Sequence, residues 1–307
     1  MSRLSAGNQE AQPSGKKHKN IQVCVRLRPL NVMETRVSPH PAWKWQDNSI
    51  YEVDEHGQPT SAAPYQFDQL YYPEHQTINI YDSVVEDIVK SSMEGYHGTV
   101  FAYGQTSTGK TFTMQGKETT PGIIPLAVEA VFDYIAQCTD REFLLRVSFL
   151  EIYNEQVVDL LSPKNTTGIQ ILNTARGKVV IRGLKEEVVV SPDQVFSLLA
   201  CGEAYRHTAE TTFNRESSRS HSLFRMIIES RSRSTNNMDP DGRRPVRTSV
   251  LNLVDLAGSE GGSANQNTGQ RRREGHFINK SLHTLSHVIF KLSELADQEE
   301  AARREGR

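Results

Sequence analysis

The chain has 307 residues, 36% hydrophobic and 23% charged, which supplies a sizeable core and excludes a wholly disordered polymer. Lys and Arg total 35 against 37 Asp and Glu, a net charge of −2, which excludes wholesale electrostatic binding to nucleic acid and leaves only a local basic patch open. Cys24, Cys138 and Cys201 are scattered and form no Cys-x-x-Cys pair, which argues against a disulfide framework or zinc site and for a reducing compartment.

Residues 1–20 hold no apolar stretch that could form the core of a targeting signal, and they read as a flexible, mildly basic tail. Nowhere do about 18 apolar residues run together, so no membrane helix is expected. Order is expected from Ile21, where Ile21, Val23, Val25 and Leu27 alternate with polar residues as a strand stopped by Arg28-Pro29. Short strands are predicted over 42–45 and 50–53, and a helix over 76–93, where Ile78, Ile80, Val84, Val85, Ile88 and Val89 recur at helical spacing. Residues 99–103 suit a buried strand, followed by a glycine-bracketed loop and a helix from about Lys110. A helix over 125–137, a strand or strand pair over 143–153 and strands at 179–181 and 188–190 come next. Ser191 and Pro192 read as the N-cap and first position of a helix over 191–200.

Strands over 222–230 and 248–254 flank a polar loop at 231–247. A Gly/Asn/Arg-rich loop over 259–276 precedes a helix over 278–295. Strands and helices interleave and both strand faces are apolar. One α/β domain over 21–296 is therefore expected, with a central, mostly parallel sheet flanked by helices and a charged, helix-prone tail over 297–307.

The strongest local signal is Gly104-Gln105-Thr106-Ser107-Thr108-Gly109-Lys110-Thr111, which fits the phosphate-binding loop Gly-x4-Gly-Lys-[Ser/Thr]. The glycines let the backbone curl so that its N–H groups point inward, and the following helix adds its positive end. Lys110 supplies a point charge for the β- and γ-phosphates, and the Thr111 hydroxyl can ligate Mg²⁺. A second apolar run, 250–254, ends at Asp255, placed to hold Mg²⁺ through water, and Gly258 lets a backbone N–H approach the γ-phosphate. Taken alone, a strand-end Asp more often caps the next turn. The third element, Asn214-Arg215-Glu216-Ser217-Ser218-Arg219-Ser220-His221, gathers hydroxyls and a guanidinium ahead of a strand. Read bare, it is a polar loop; beside a phosphate loop, its serines can ligate Mg²⁺ or orient water and Arg219 can pair with an acid.

In this order the three motifs resemble the motor domain of kinesins. The resemblance extends to Val25-Arg26-Leu27-Arg28-Pro29-Leu30, Gly98-Thr99-Val100-Phe101-Ala102-Tyr103, Leu150-Glu151-Ile152-Tyr153-Asn154-Glu155 and Ile278-Asn279-Lys280-Ser281-Leu282, and so covers about 21–295. Residues 141–148 and 224–230 look most like the centromere-associated subgroup. The resemblance implies the α/β phosphate-loop NTPase fold of kinesins and an ATPase that moves on microtubules, with ATP and Mg²⁺ as cofactors. It implies that Arg26, Arg28 and Pro29 flank the adenine and that Gly104, Gln105, Thr106, Ser107, Thr108, Gly109, Lys110 and Thr111 hold the phosphates. It gives Mg²⁺ to Thr111, Ser218 and Asp255. Ser217, Ser218 and Arg219 would form one switch, and Asp255, Gly258 and Glu260 the other, with Arg219 and Glu260 pairing when ATP is bound. Arg271, Arg272, Arg273 and Lys280 would face acidic tubulin. Neither nucleic acid nor membrane is an expected partner, a homodimer would form through segments outside this chain, and the expected location is the cytoplasmic microtubule cytoskeleton, spindle or kinetochore included.

The sequence departs from the family in two places. Gly261 and Gly262 stand where kinesins usually carry a basic residue. Kinesin motor domains also continue past the helix over 278–295 with further helices and a last strand beside the phosphate-loop strand, so this chain is expected to lack the final strand and helices. Unpaired backbone groups along such a seam would cost about 1–3 kcal/mol each. That leaves a second reading, a microtubule-binding, ATP-binding fragment without productive motility. A GTPase reading is disfavoured, because Asn279-Lys280 has Leu282 where guanine recognition requires Asp.

Overall fold

The computed structural model describes residues 21–37, 41–163, 168–174, 179–213, 217–234, 244–260 and 269–304. The expected tail over 1–20, Gly261 and Gly262 lie outside them. The chain divides into two compact units, one of Met1–Val25, Ser38–Leu70 and His287–Arg307, the other of Arg26–Val37 and Tyr71–Ser286.

In the first unit, Trp43–Gln46, Ser49–Glu52 and Tyr65–Gln66 form an antiparallel sheet. Gln46 faces Ser49, so Asp47-Asn48 is a two-residue hairpin loop, and Asp47 takes the positive φ of 51° such loops favour. The Trp43 and Tyr65 rings lie 6.1 Å apart on this sheet.

The second unit is built on a sheet in the order Gln156–Asp159, Arg141–Tyr153, His221–Ser232, Val246–Asp255, Gly98–Ala102, with Glu187–Val189 also paired to Arg141–Tyr153. The expected long apolar strands are all present. Their directions differ from expectation: only Val246–Asp255 against Gly98–Ala102 is parallel, so the sheet is mixed and largely antiparallel rather than mostly parallel. Near-continuous apolar runs report burial, and an antiparallel strand buried under helices reads the same as a parallel one. Phe149, Phe224, Met226, Leu251 and Leu253 are buried to about 1% exposure or less, and the Phe149 and Phe224 rings meet edge to face.

The predicted helix over 76–93 is continuous from Thr77–Ile80 through a π-turn at Tyr81–Val85 to Glu86–Met93. Glu86–Met93 and Pro192–Phe213 both pack on the sheet, and Ile123–Gln137 touches both and buries Ala127, Val128 and Val131 completely. The Ser191 hydroxyl accepts from the Gln194 N–H at 3.4 Å, as its capping role requires, and the helix runs on to Phe213, well beyond the expected end. The helix after the phosphate loop is short, Lys110–Met114, because the chain turns back at Gly116. The last helix starts at Gly269, inside the expected loop over 259–276, and continues to Arg304, so residues 297–304 of the expected tail extend that same helix. Among the described residues no helix is long and apolar enough to cross a membrane.

Candidate functional site

The site begins with the single parallel pairing. Its register sets Asp255 opposite Ala102, so the phosphate loop and the acid leave the sheet side by side. Ser107 and Gly109 adopt positive φ, 65° and 99°, and Gly109 caps Lys110–Met114. Among the described residues, its chain neighbours aside, no atom lies within 4 Å of where a Gly109 Cβ would stand, so the loop faces open space there. Lys110 is half-buried and donates to the Gly104 and Gln105 carbonyls at 2.9 and 2.8 Å, bracing the loop. Burial pushes its ammonium below the usual lysine range, against the pull of Asp255 and Glu260.

Thr111 donates its hydroxyl proton to Asp255 Oδ2 at 2.5 Å. Asp255 is 5% exposed, and its other oxygen, Oδ1, is buried with no hydrogen-bond partner among the described residues. Burial raises its carboxyl, while Thr111, Arg206 and Lys110 lower it in part. A buried carboxylate oxygen lacking a donor beside a threonine hydroxyl suits a cation held partly through water, the usual mode for Mg²⁺. Among the described residues no three His, Cys, Asp or Glu side chains converge as a metal cage, so Thr111 and Asp255 are the residues that fit such an ion.

The segment 256–260 packs against the turn 217–219. The Gly258 N–H donates to the Ser218 carbonyl at 2.7 Å and the Ser259 N–H to the Gly104 carbonyl at 3.0 Å. A Cβ on Gly258 would meet the Glu260 carboxylate and the Thr106 hydroxyl, so a larger residue here would have to displace the end of the Glu260 side chain. Glu260 accepts from the Thr106 N–H at 2.7 Å and from the Thr106 hydroxyl. Burial pushes its carboxyl up, but these bonds and Lys110 outweigh that and hold it below the usual range. Glu260 is thus bonded to the phosphate loop. Ser218 and Arg219 sit in the 3-10 turn Ser217–Arg219; the Ser217 side chain lies outside the description.

Arg26 donates to the Thr77 and Thr113 hydroxyls at 3.1 and 2.9 Å and lies over the Phe112 ring, which ties it to the helix after the loop. Arg28 pairs with Glu34 at 2.5 Å and donates to the carbonyl of exposed Pro29. Lys280 is at the surface and pairs with Glu155 at 3.1 Å. Glu155 is placed by a two-residue hairpin in which Asn154 and Glu155 both have positive φ. Arg271, Arg272 and Arg273 belong to the long helix, but their side chains are outside the description.

Two groups receive no role from the motifs, although His221 closes the third of them. Arg206 is 4% exposed and donates to Glu151 at 3.3 Å and to the Ser220 hydroxyl at 3.1 Å, with Glu203 at 3.7 Å. Gln115, just past the loop helix, donates to Glu203 at 2.6 Å. The available signal was an arginine at helical spacing from Val195 and Gly202, both buried. His221, 8% exposed, accepts from the Ala257 N–H at 3.1 Å and contacts the Ser281 hydroxyl at 2.8 Å.

Burial lowers the His221 pKa from 6.5 to about 4. The unfolded chain binds this proton at the ordinary value and the folded chain only near 4, so the stabilisation is complete above pH 6.5 and lost as pH falls toward 4. At ~1.4 kcal/mol per tenfold change in proton affinity this amounts to about 3 kcal/mol. Asp255 and Glu203, raised chiefly by burial, act in the opposite sense, so the comparison is with His221→Asn. Urea unfolding between pH 7 and 4.5 is expected to show a steeper loss for the wild type than for the variant; parallel profiles would contradict the assignment.

A phosphate loop at the end of a strand parallel to one ending in Asp255 defines a phosphate-loop nucleoside triphosphatase fold. The kinesin motor domain family model matches residues 26–303. Kinesin-like protein KIN-7O of Arabidopsis thaliana is 46% identical over 274 residues, which is 89% of this chain and 21% of that protein. Kinesin-like protein KIN-7I of Oryza sativa subsp. japonica is 45% identical, over 89% of this chain and 22% of its own length. A solved structure of a fast kinesin superposes with a TM-score of 0.73 at 31% identity, over 83% of this chain and 71% of that one. The chain belongs to the kinesin motor domain family. It spans about a fifth of the length of these two curated relatives.

Proposed function

We propose that this chain binds and hydrolyses ATP with Mg²⁺ and couples γ-phosphate sensing by its two switch segments to microtubule binding. The observation that carries the reading is the convergence of Lys110, Thr111, the open Oδ1 of Asp255 and the Gly258–Ser218 contact at one edge of the sheet. Loop amides and Lys110 bind the phosphates. Thr111 and Asp255 would hold Mg²⁺ with Ser218, and the ion would supply neutralisation of charge shared by the β- and γ-oxygens. Gly258 turns its N–H from the Ser218 carbonyl to a γ-oxygen. Glu260 leaves Thr106 and meets Arg219, and Ser217 and Ser218 orient water for in-line attack. Arg26, Arg28 and Pro29 flank the base.

Arg271, Arg272, Arg273 and Lys280 form the tubulin-facing patch, the working location is the microtubule cytoskeleton, and dimerisation belongs to segments outside this chain. The plant KIN-7 relatives support kinesin membership, and the centromere-associated affinity remains part of this proposal, resting on 141–148 and 224–230.

Calorimetric titration with Mg·ATP and Mg·GTP, together with cosedimentation with microtubules, tests this reading. Preferential ATP binding and nucleotide-sensitive cosedimentation are expected; equal binding of GTP, or no microtubule association in any nucleotide, would refute it.

The Arg219–Glu260 pair has its own consequence. Either residue changed to Ala is expected to lower kcat about tenfold and spare KM, because the contact forms only in the hydrolysis-ready arrangement. The double variant is expected to lose no more than one single; multiplied losses would show the two to be independent.

A second reading, binding without productive motility, is favoured by one observation. Among the described residues Gly98–Ala102 pairs on one side only, with Phe101 39% exposed. Stimulated turnover separates the two readings.

A further inference from the structure

His221 takes no part in the phosphate chemistry above, yet both of its ring nitrogens are bonded in a buried position. We propose that His221 is a positioning residue that ties the turn 255–258 to the helix bearing Lys280, so that movement of the turn at the γ-phosphate is delivered to Ser281. The inference rests on the nucleotide reading of the same site.

The direction of each bond is determined by its neighbour. The Ala257 N–H donates to Nδ1 at 3.1 Å, so Nδ1 carries no proton and Nε2 does. Nε2–H therefore donates to Ser281 Oγ at 2.8 Å, and the Ser281 hydroxyl donates onward to the Ile278 carbonyl at 2.8 Å. A ring flip would set C–H groups against both partners, so one tautomer in one orientation satisfies the chain. Burial keeps the imidazole neutral at working pH, as this chain requires.

Both ends are anchored. Ala257 is fully buried, and the next two residues bond the Ser218 and Gly104 carbonyls, so the turn cannot shift toward a phosphate without moving the Ala257 N–H. Leu282, 7% exposed, seats the helix beside Ser281, and Lys280 is the adjacent residue on its other side. A short, rigid ring between two buried anchors passes on a displacement that a long, flexible side chain would absorb.

The test measures amide hydrogen exchange at 278–282 in the full chain, with and without Mg²⁺ plus a non-hydrolysable ATP analogue. In the wild type the analogue is expected to change exchange there about fivefold or more, the scale of a typical coupling. Ser281→Ala is expected to cut that response below about twofold while analogue affinity stays within about threefold, because the phosphate site is untouched. Ser281→Thr, which keeps the hydroxyl, restores the response, and adding His221→Asn to Ser281→Ala removes nothing more. A wild-type response in Ser281→Ala with nucleotide bound overturns the relay, as does a wild-type helix that ignores bound nucleotide; in both cases the nucleotide reading survives. A wild-type chain that binds no nucleotide overturns both.

Discussion

Lys110→Ala is expected to weaken Mg·ATP binding by about 10–150-fold, the equivalent of a lost charge-assisted contact of ~1.5–3 kcal/mol. Lys110 is half-buried, braces the Gly104 and Gln105 carbonyls, and lies close enough to feel both Asp255 and Glu260. Its removal therefore takes away a phosphate contact and loosens the loop that presents the other donors. The fold should be little affected, because the bonds lost are local to the loop. Calorimetric titration alongside a thermal melt checks this: weakened binding with a near-native melt is the expected pair of results. Unchanged affinity would mean that the phosphates lie elsewhere.

Arg206→Met is expected to destabilise the fold by about 3–5 kcal/mol, the scale for removing one partner of a buried ion pair. Arg206 and Glu151 are both about 4% exposed, and Arg206 also bonds Ser220 next to the 3-10 turn Ser217–Arg219. Methionine fills much of the volume but leaves Glu151 desolvated and unpaired by this arginine. Urea unfolding measures the loss, and adding Glu151→Leu should recover most of it, since a packed apolar pair tolerates burial. A loss below about 1 kcal/mol would place the pair in a wetter setting than its exposure implies.

Legibility in the sequence followed the range of the contacts. The phosphate loop is contiguous, and each of its residues acts through its own backbone or a short side chain, so spacing alone located it. Asp255 was legible as the end of an apolar run once a phosphate loop stood nearby. The directions of Arg141–Tyr153 and His221–Ser232 were not, because burial and strand propensity are blind to whether a neighbour runs up or down. The start of the long helix at Gly269 was hidden by the Gly, Asn and Arg composition of 259–276, which suits a loop locally but was overridden once the chain folded. The Arg219–Glu260 pairing is expected of the ATP-bound arrangement; here Glu260 bonds Thr106 across a separation of 154 positions, a contact no local pattern encodes. Arg206 is one polar residue in an ordinary stretch and His221 is the last residue of the third motif, and each takes its role from partners brought in by tertiary packing.

The most direct measurement of the central claim is steady-state ATP turnover of the chain as microtubules are added, in Mg²⁺ and then in excess chelator. The account predicts a saturable rise of about tenfold or more over basal turnover, equivalent to ~1.4 kcal/mol off the barrier, abolished by chelation and by Lys110→Ala. Turnover that stays flat across the microtubule titration while Mg·ATP remains bound would contradict coupling between the switches and the filament-facing helix, and an equal rate with GTP would contradict the nucleotide assignment.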